Sequence, residues 1–172
     1  MADIIYRAVI RVDASLQIGT GHVMRCLTLA NFLRGVGVDV QFICRAHEGN
    51  LIELIVEHGF KVSILPTPDE NLLCLVKPDL PYDSWLGCDW KIDASQCRSE
   101  ILGVVDWLIV DHYSLDYQWE ASLRDKCCSL MVINDLANRK HDCDLLLDQN
   151  LGRKSVDYID LVSSSTNLLL GT

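Results

Sequence analysis

The chain has 172 residues, of which 49% are hydrophobic and 23% charged, enough for one domain with a substantial core. Its net charge of −9 excludes nonspecific nucleic-acid binding, which needs a basic footprint. No apolar run approaches the roughly 20 residues that span a bilayer, and residues 1–7 lack the basic-then-apolar pattern of a signal peptide, so the expected location is the cytoplasm, with no membrane partner.

Apolar strand-like runs alternate with helical patterns along the chain. The first strand is expected over residues 7–13. A helix follows over 22–34, with Val23, Cys26, Leu27, Ala30 and Leu33 at three- and four-residue spacing, and Gly35 and Gly37 end it. A strand over 38–44, a short helix over 51–58 and a strand over 60–65 come next. Residues 66–87 are less regular and hold all four prolines. A helix over 91–102 leads to a fourth strand over 107–111. A helix over 116–127, a fifth strand over 130–134 and a sixth apolar run over 145–147 complete the pattern, and the serines at 163–165 read as a loop. Repeated strand–helix units imply an α/β fold, a doubly wound parallel sheet of Rossmann-like type covered on both faces. In that topology strand 1 lies beside strand 4, the order reverses between them, and ligands bind in the crevice at the C-terminal strand ends.

The eight cysteines include no Cys-x-x-Cys pair, which argues against a zinc or redox site. Reduced thiols are expected in the cytoplasm; Cys26, Cys44 and Cys127 read as small core residues. No metal and no cofactor are expected.

The loop after strand 1 carries the strongest local signal, Gly19-Thr20-Gly21-His22. Two glycines let the backbone turn sharply and approach a ligand. The free N–H groups of a helix start attract anionic or electron-rich groups, and the dipole field there favours a neutral, proton-accepting imidazole. A catalytic base on a sugar-phosphate or nucleotide-sugar enzyme fits this pattern; so does an ordinary turn with a polar residue opening the helix. No third glycine completes a dinucleotide fingerprint, and neither a phosphate-binding Gly-Lys loop nor a nucleophile elbow is present.

Polar residues gather at the other strand ends. Asp111, His112 and Tyr113 follow strand 4, Asp135 with Asn138, Arg139 and His141 follows strand 5, and Asp148-Gln149-Asn150 follows the sixth run. His22 and Tyr113 are expected to face each other across the switch point, with the base beside the phenol orienting a water or a hydroxyl. For His112 a structural role is favoured. His47 reads as a solvated loop histidine near the rim, and His58 as a helix C-terminal residue favoured by the dipole; His141 has no assignment. Arg11 and Asp13 flank Val12 on one side of the strand, and a buried ion pair bracing the loop is the favoured reading over direct substrate contact.

The combination Asp13-x-Ser15-x-x-Ile18-Gly-x-Gly-His22-x-x-Arg25-Cys-Leu-x-Leu-Ala30 closely resembles the start of the UDP-sugar hydrolases of pseudaminic acid biosynthesis. The resemblance continues through Phe42-Ile-Cys-Arg-Ala-His-Glu-Gly-Asn50, Trp85-Leu-Gly, Asp111-His-Tyr113 and Asp135-Leu-Ala, and ends on His141-Asp-Cys-Asp-Leu-Leu-Leu-Asp-Gln-Asn150. Spore-coat polysaccharide proteins share much of this pattern. The resemblance implies the N-terminal half of a GT-B arrangement, in which water attacks the anomeric carbon of a UDP-linked 2,4-diacetamido-2,4,6-trideoxy sugar and UDP leaves with inversion. His22 would be the general base and Tyr113 would position substrate or water. Asp13, Gly19, Thr20, Gly21, Arg25, Asp111, Asp135 and Asn150 would contribute further substrate contacts. No metal or cofactor is implied.

Two departures stand out. Members of that group continue past Leu168-Leu-Leu-Gly171 into a second domain that grips UDP, so residues 1–172 are expected to form the N-terminal catalytic domain without it, a fragment with weak activity or none. Asn134 stands where many relatives carry Asp. A glycosyltransferase half and a noncatalytic sugar-binding module remain as alternatives.

Overall fold

The computed structural model describes residues 6–67 and 82–171. Seven strands form one sheet: β1 (Arg7–Val12), β2 (Asp39–Arg45), β3 (Lys61–Leu65), β4 (Val105–Asp111), β5 (Cys127–Ile133), β6 (Leu145–Asp148) and β7 (Asn167–Leu170). Their order is β3-β2-β1-β4-β5-β6-β7 and every neighbouring pair is parallel. The helices are α1 (Gly21–Gly35), α2 (Ile52–Glu57), α3 (Trp90–Glu100) and α4 (Tyr117–Ser122). This is the α/β Rossmann-like sheet expected from the sequence, with its switch point between β1 and β4.

A parallel sheet buried on both faces reads as continuous apolar runs, and β1 illustrates it. Ala8, Ile10 and Val12 pack with Val23, Cys26, Leu27 and Ala30 of α1. Val9 belongs to the opposite core with Ala94 and Cys97 of α3, Leu108 and Val110 of β4, and Trp119 of α4. Cover on the α1 side is incomplete. α1 packs on β1 and β2, and α2 on β3, while farther along the sheet Tyr6, Leu29, Leu33, Trp107, Met131 and Leu145 line a groove of about 270 Å³.

The differences from the sequence expectation lie at element ends. The helix expected over 116–127 stops at Ser122, a 3₁₀ turn over Arg124–Lys126 follows, and β5 already begins at Cys127. Cys127 pairs in register with Val105, so the sheet ladder recruits residues that a helical pattern would also accept. β7 was not anticipated because its apolar signal is only Leu168 to Leu170, too short for periodicity. Most of the irregular segment, with Pro68, Pro78, Pro81 and Cys74, lies outside the described residues. The other seven cysteines are free thiols, and all but Cys128 are buried.

Beneath the crevice lies a buried cluster of charges. Arg11 Nη1 donates to Asp13 Oδ1 at 2.6 Å and Nη2 to Asp93 Oδ2 at 2.7 Å, with all three side chains fully buried. Arg45 Nη2 donates to the same Asp93 oxygen at 2.7 Å, Trp119 Nε1 donates to Asp93 Oδ1 at 3.0 Å, and the Arg45 backbone N–H donates to Asp13 Oδ1 at 2.7 Å. The cluster thus ties β1, β2, α3 and α4 together. His112 and His47 turn Nε2 toward Asp13 Oδ2 at 3.3 and 3.4 Å, as long, poorly aligned contacts rather than full hydrogen bonds. His47 is therefore buried instead of solvated, as the sequence had suggested, and His112 is structural. Burial is the largest single influence and would raise the Asp13 carboxyl, but Arg11 together with His112 and His47 outweighs it and holds Asp13 well below the usual range. Asp93 is held low on the same balance of burial against Arg11.

Two stability predictions follow from this cluster. Asp93→Ala removes the buried carboxylate of Arg45 and one of the two carboxylates of Arg11 and is expected to cost about 3–5 kcal/mol, the range for removing one partner of a buried pair, read by urea denaturation. Burial lowers the His112 imidazole, with Asp13 opposing. Above about pH 6.5 neither folded nor unfolded His112 is charged; below it the unfolded chain takes up the proton first, so stability falls as pH falls. Urea curves at pH 7.5 and 5.5 for the wild type and His112→Asn, both pH values about one unit from that midpoint, check this. An unchanged pH slope in the variant would remove His112 as the source.

Candidate active site at the switch point

The loop joining β1 to α1 is built by local chemistry. Ser15 Oγ accepts from the backbone N–H groups of Gln17 and Ile18 at 3.1 and 3.0 Å, and Gly19 N–H donates to the Ser15 carbonyl at 2.8 Å. That return requires a positive φ at Gly19, +77°, which glycine adopts without strain. A side chain at Gly21 would meet nothing within 4 Å, so the space before the helix start is open. Thr20, the N-cap of α1, makes no side-chain cap. First-turn N–H groups without a capping side chain can receive oxygen atoms of a ligand.

His22 and Arg25 stand one turn apart on α1 and converge on Asp111, the last residue of β4. His22 Nδ1 lies 2.6 Å from Asp111 Oδ1. Arg25 donates from Nε to Oδ2 and from Nη2 to Oδ1, both at 2.6 Å, a bidentate pair. Asp111 is fully buried. Burial would raise its carboxyl, but the hydrogen bonds from Arg25 and His22 outweigh that and keep it low. An ionised Asp111 accepts a hydrogen bond from Nδ1–H and so fixes the imidazole tautomer. The 3.3 Å approach of Arg25 Nη2 to His22 Nδ1 is then a contact between two donors and not a hydrogen bond. His22 Nε2 is left with a free lone pair and no partner among the described residues, on a side chain that keeps 9% of its exposure.

Tyr113 completes the constellation. Its ring meets His22 edge-on, with centroids 4.5 Å apart. Its hydroxyl donates to Asp135 Oδ1, and Arg25 Nη1 reaches Asp135 Oδ2 at 3.3 Å. Burial, reinforced by the bond to Asp135, pushes the phenol up, so it stays protonated. Asn150 Nδ2 donates to the Asp135 carbonyl at 2.7 Å, joined there by Arg153 Nη2 at 2.7 Å. The ends of β1, β4, β5 and β6 therefore bring His22, Arg25, Asp111, Tyr113, Asp135 and Asn150 into one connected group. Asp13 belongs instead to the buried cluster behind it. The site's central cation, Arg25, lies between two carboxylates, so its charge is already matched.

Sequence reasoning did not single out Asp93, Trp119 or Glu120, and left His141 without a role. Glu120 is fully buried; its Oε1 is 2.7 Å from His141 Nδ1, and Asn134 Nδ2 is 2.8 Å from His141 Nε2. Asn134 Oδ1 accepts from Leu136 N–H at 2.8 Å, which turns the amide nitrogen toward the imidazole. An amide at position 134 supplies a donor that a carboxylate would lack. Among the described residues no group of three or more His, Cys, Asp or Glu side chains is arranged to hold a metal ion. No helix among them is long and apolar enough to cross a membrane.

No protein-family model matches this chain. Over 156 residues, or 91% of its length, it is 28% identical to the UDP-2,4-diacetamido-2,4,6-trideoxy-beta-L-altropyranose hydrolase of Campylobacter jejuni subsp. jejuni. The matched stretch is 46% of that relative, so the chain spans about half the relative's length.

Asp111→Asn is expected to leave the sheet intact and to release control of the tautomer. In ¹⁵N correlation spectra the wild-type His22 ring should show a protonated Nδ1 and a bare Nε2, and the variant a mixture. A bare Nδ1 in the wild type would contradict the assigned direction of the His22–Asp111 bond.

Proposed function

We propose that this chain is the sugar-binding, catalytic half of a UDP-sugar hydrolase acting on a 2,4-diacetamido-2,4,6-trideoxy sugar in pseudaminic acid biosynthesis. The observation that carries the reading is the His22–Asp111 pair at the switch point, with Nε2 unpartnered among the described residues. The similarity to a curated hydrolase of that substrate class supports it, and the free thiols suit a cytoplasmic enzyme.

In this reading a water lies between His22 Nε2 and the anomeric carbon. The imidazole takes a proton from the water, the new C–O bond forms on the face opposite the nucleotide, and the bond to the phosphate oxygen breaks. UDP departs with the bonding electrons and the sugar is released with inverted configuration. Asp111 stabilises the imidazolium that forms, as an orienting carboxylate does beside a catalytic histidine. Tyr113 and Asp135 position the sugar or the water. Thr20, Gly21 and the adjoining N–H groups of α1 meet ligand oxygens, Asn150 closes the far side, and Asp13 braces the loop from behind. The diphosphate is gripped by a second domain in a GT-B arrangement, since Arg25 is already matched by Asp111 and Asp135.

The test follows UDP release by the full-length protein. His22→Ala should lower kcat by about 10²–10⁴-fold, the usual contribution of a general base, with substrate affinity much less affected. Tyr113→Phe should be milder. The 172-residue chain alone should turn over the same substrate poorly or not at all, because the nucleotide's binding energy is missing. Near-normal turnover by His22→Ala would remove the histidine from the chemistry; full catalytic efficiency in the chain alone would remove the second domain from it.

A further inference from the structure

Four rings form one continuous surface at this edge of the sheet. Tyr82 and Trp85 come from the segment just before α3, where residues 83–86 make a 3₁₀ turn. Tyr82 meets Trp85 edge-on with centroids 4.7 Å apart, and lies 5.3 Å from the Tyr113 ring. Trp85 lies 5.9 Å from Tyr113 with only 25° between the ring planes. Tyr113 in turn meets His22. None of the three aromatic side chains is fully buried. Structural packing alone would favour sealing such rings into the core, as with Trp119, which is 0% exposed. Here the rings keep part of their surface beside the imidazole. Ser114 Oγ donates to the Tyr82 carbonyl, which ties this segment to the residue following Tyr113. Polar groups adjoin these rings: Asp135, which accepts from the Tyr113 hydroxyl, with Arg25 and Asn150 beside it. A surface with aromatic rings beside carboxylate and amide groups suits an amphipathic ligand: a pyranose, with C–H faces and methyl groups on one side and hydroxyl or N–H groups on the other.

Resting on the hydrolase reading above, we propose that Tyr82 and Trp85 form an aromatic wall that selects the sugar by its apolar substituents. The acetamido methyl groups and the 6-deoxy methyl group stack on Trp85 and Tyr82, while Asp135 accepts from the sugar's N–H or O–H groups. Sugars bearing plain hydroxyl groups in place of these substituents lose the stacking and bind more weakly.

The test uses this chain and three free sugars: 2,4-diacetamido-2,4,6-trideoxy-L-altrose, N-acetylglucosamine and glucose. Saturating the aromatic protons should transfer signal to the acetyl and 6-methyl protons of the first, to the acetyl protons of the second, and negligibly to glucose. Trp85→Ala should weaken the diacetamido sugar by about tenfold, the size of one good aromatic contact, and Trp85→Phe should restore most of it. Equal transfer to all three sugars, no transfer to the methyl protons, or unchanged affinity in Trp85→Ala would each overturn the wall, the first two without needing any variant to fold. The outcome separates from that of the hydrolase reading. Methyl-selective binding with no UDP release from any UDP-sugar by the full-length protein leaves the wall standing and sinks the hydrolase. UDP release with the same KM and sugar preference in Trp85→Ala does the reverse.

Discussion

The buried pairing of Arg11 and Arg45 with Asp13 and Asp93 is the constraint on which the rest depends. Each charge is expensive to bury alone, and removing water from an ion costs several kcal/mol even after relaxation. The cost is met only because every member has a partner of opposite charge and further hydrogen bonds. Satisfying it leaves little freedom. Asp93 can reach both guanidinium groups and the Trp119 indole only if α3 and α4 sit at fixed positions over β1 and β2. The end of β1 is thereby held still, and the Gly19–His22 turn begins from that end.

Across the sheet a second charge group, Arg25 with Asp111 and Asp135, organises the other face. The two groups share no residue: the first draws on β1, β2 and α3, the second on α1, the end of β4 and the residues after β5. One face of the strand ends carries charges sealed in the core; the other carries charges at the crevice, where Arg25 and Asp135 keep about a fifth of their side-chain exposure, 20% and 21%. The first is suited to rigidity. The second combines a rigid part, the bidentate Arg25–Asp111 pair, with groups that can exchange a protein partner for a ligand, namely Tyr113, Asp135 and Asn150. In the hydrolase reading, an imidazole held in place beside exchangeable hydrogen-bonding groups is what positioning of a substrate against a catalytic group demands.

Much of the fold was legible in the sequence because buried parallel strands are long apolar runs with little else to be. β1, β2 and β4 could be read from Ala8 to Val12, Val40 to Cys44 and Leu108 to Val110. Where the signal is short or two-valued, legibility failed: β7 rests on three leucines, and Cys127 suits a helix face as well as a strand. The rule that ligands gather at strand ends is enough to bring His22, Asp111 and Tyr113 into one neighbourhood from the sequence alone. It could not give the partners. Arg11 meets Asp93 across 82 residues and Arg25 meets Asp135 across 110, and nothing local marks one carboxylate among 24 acidic residues as the mate of a particular arginine. His47 shows the same limit. Its loop position suggested solvent, and only the fold of the β2–α2 connection over Asp13 buries it.

The charge balance at the crevice bears on how the proposed reaction would divide its work. A lone arginine at a switch point would be the natural anchor for a diphosphate. Arg25 is instead committed to two carboxylates, one of them fully buried, and freeing it would leave Asp111 without its main counterion. A diphosphate drawn into this group would meet Asp135 as well as Arg25. The other features of the site, the imidazole, the phenol and the open space beyond Gly21, are better matched to a sugar ring and a water. In the hydrolase reading this half then recognises the sugar and moves the proton, while most of the nucleotide's binding energy arises elsewhere. That arrangement favours turnover over tight binding of the product: once the anomeric bond breaks, the sugar keeps only its hydrogen bonds and ring contacts here, without the nucleotide's share of the binding energy.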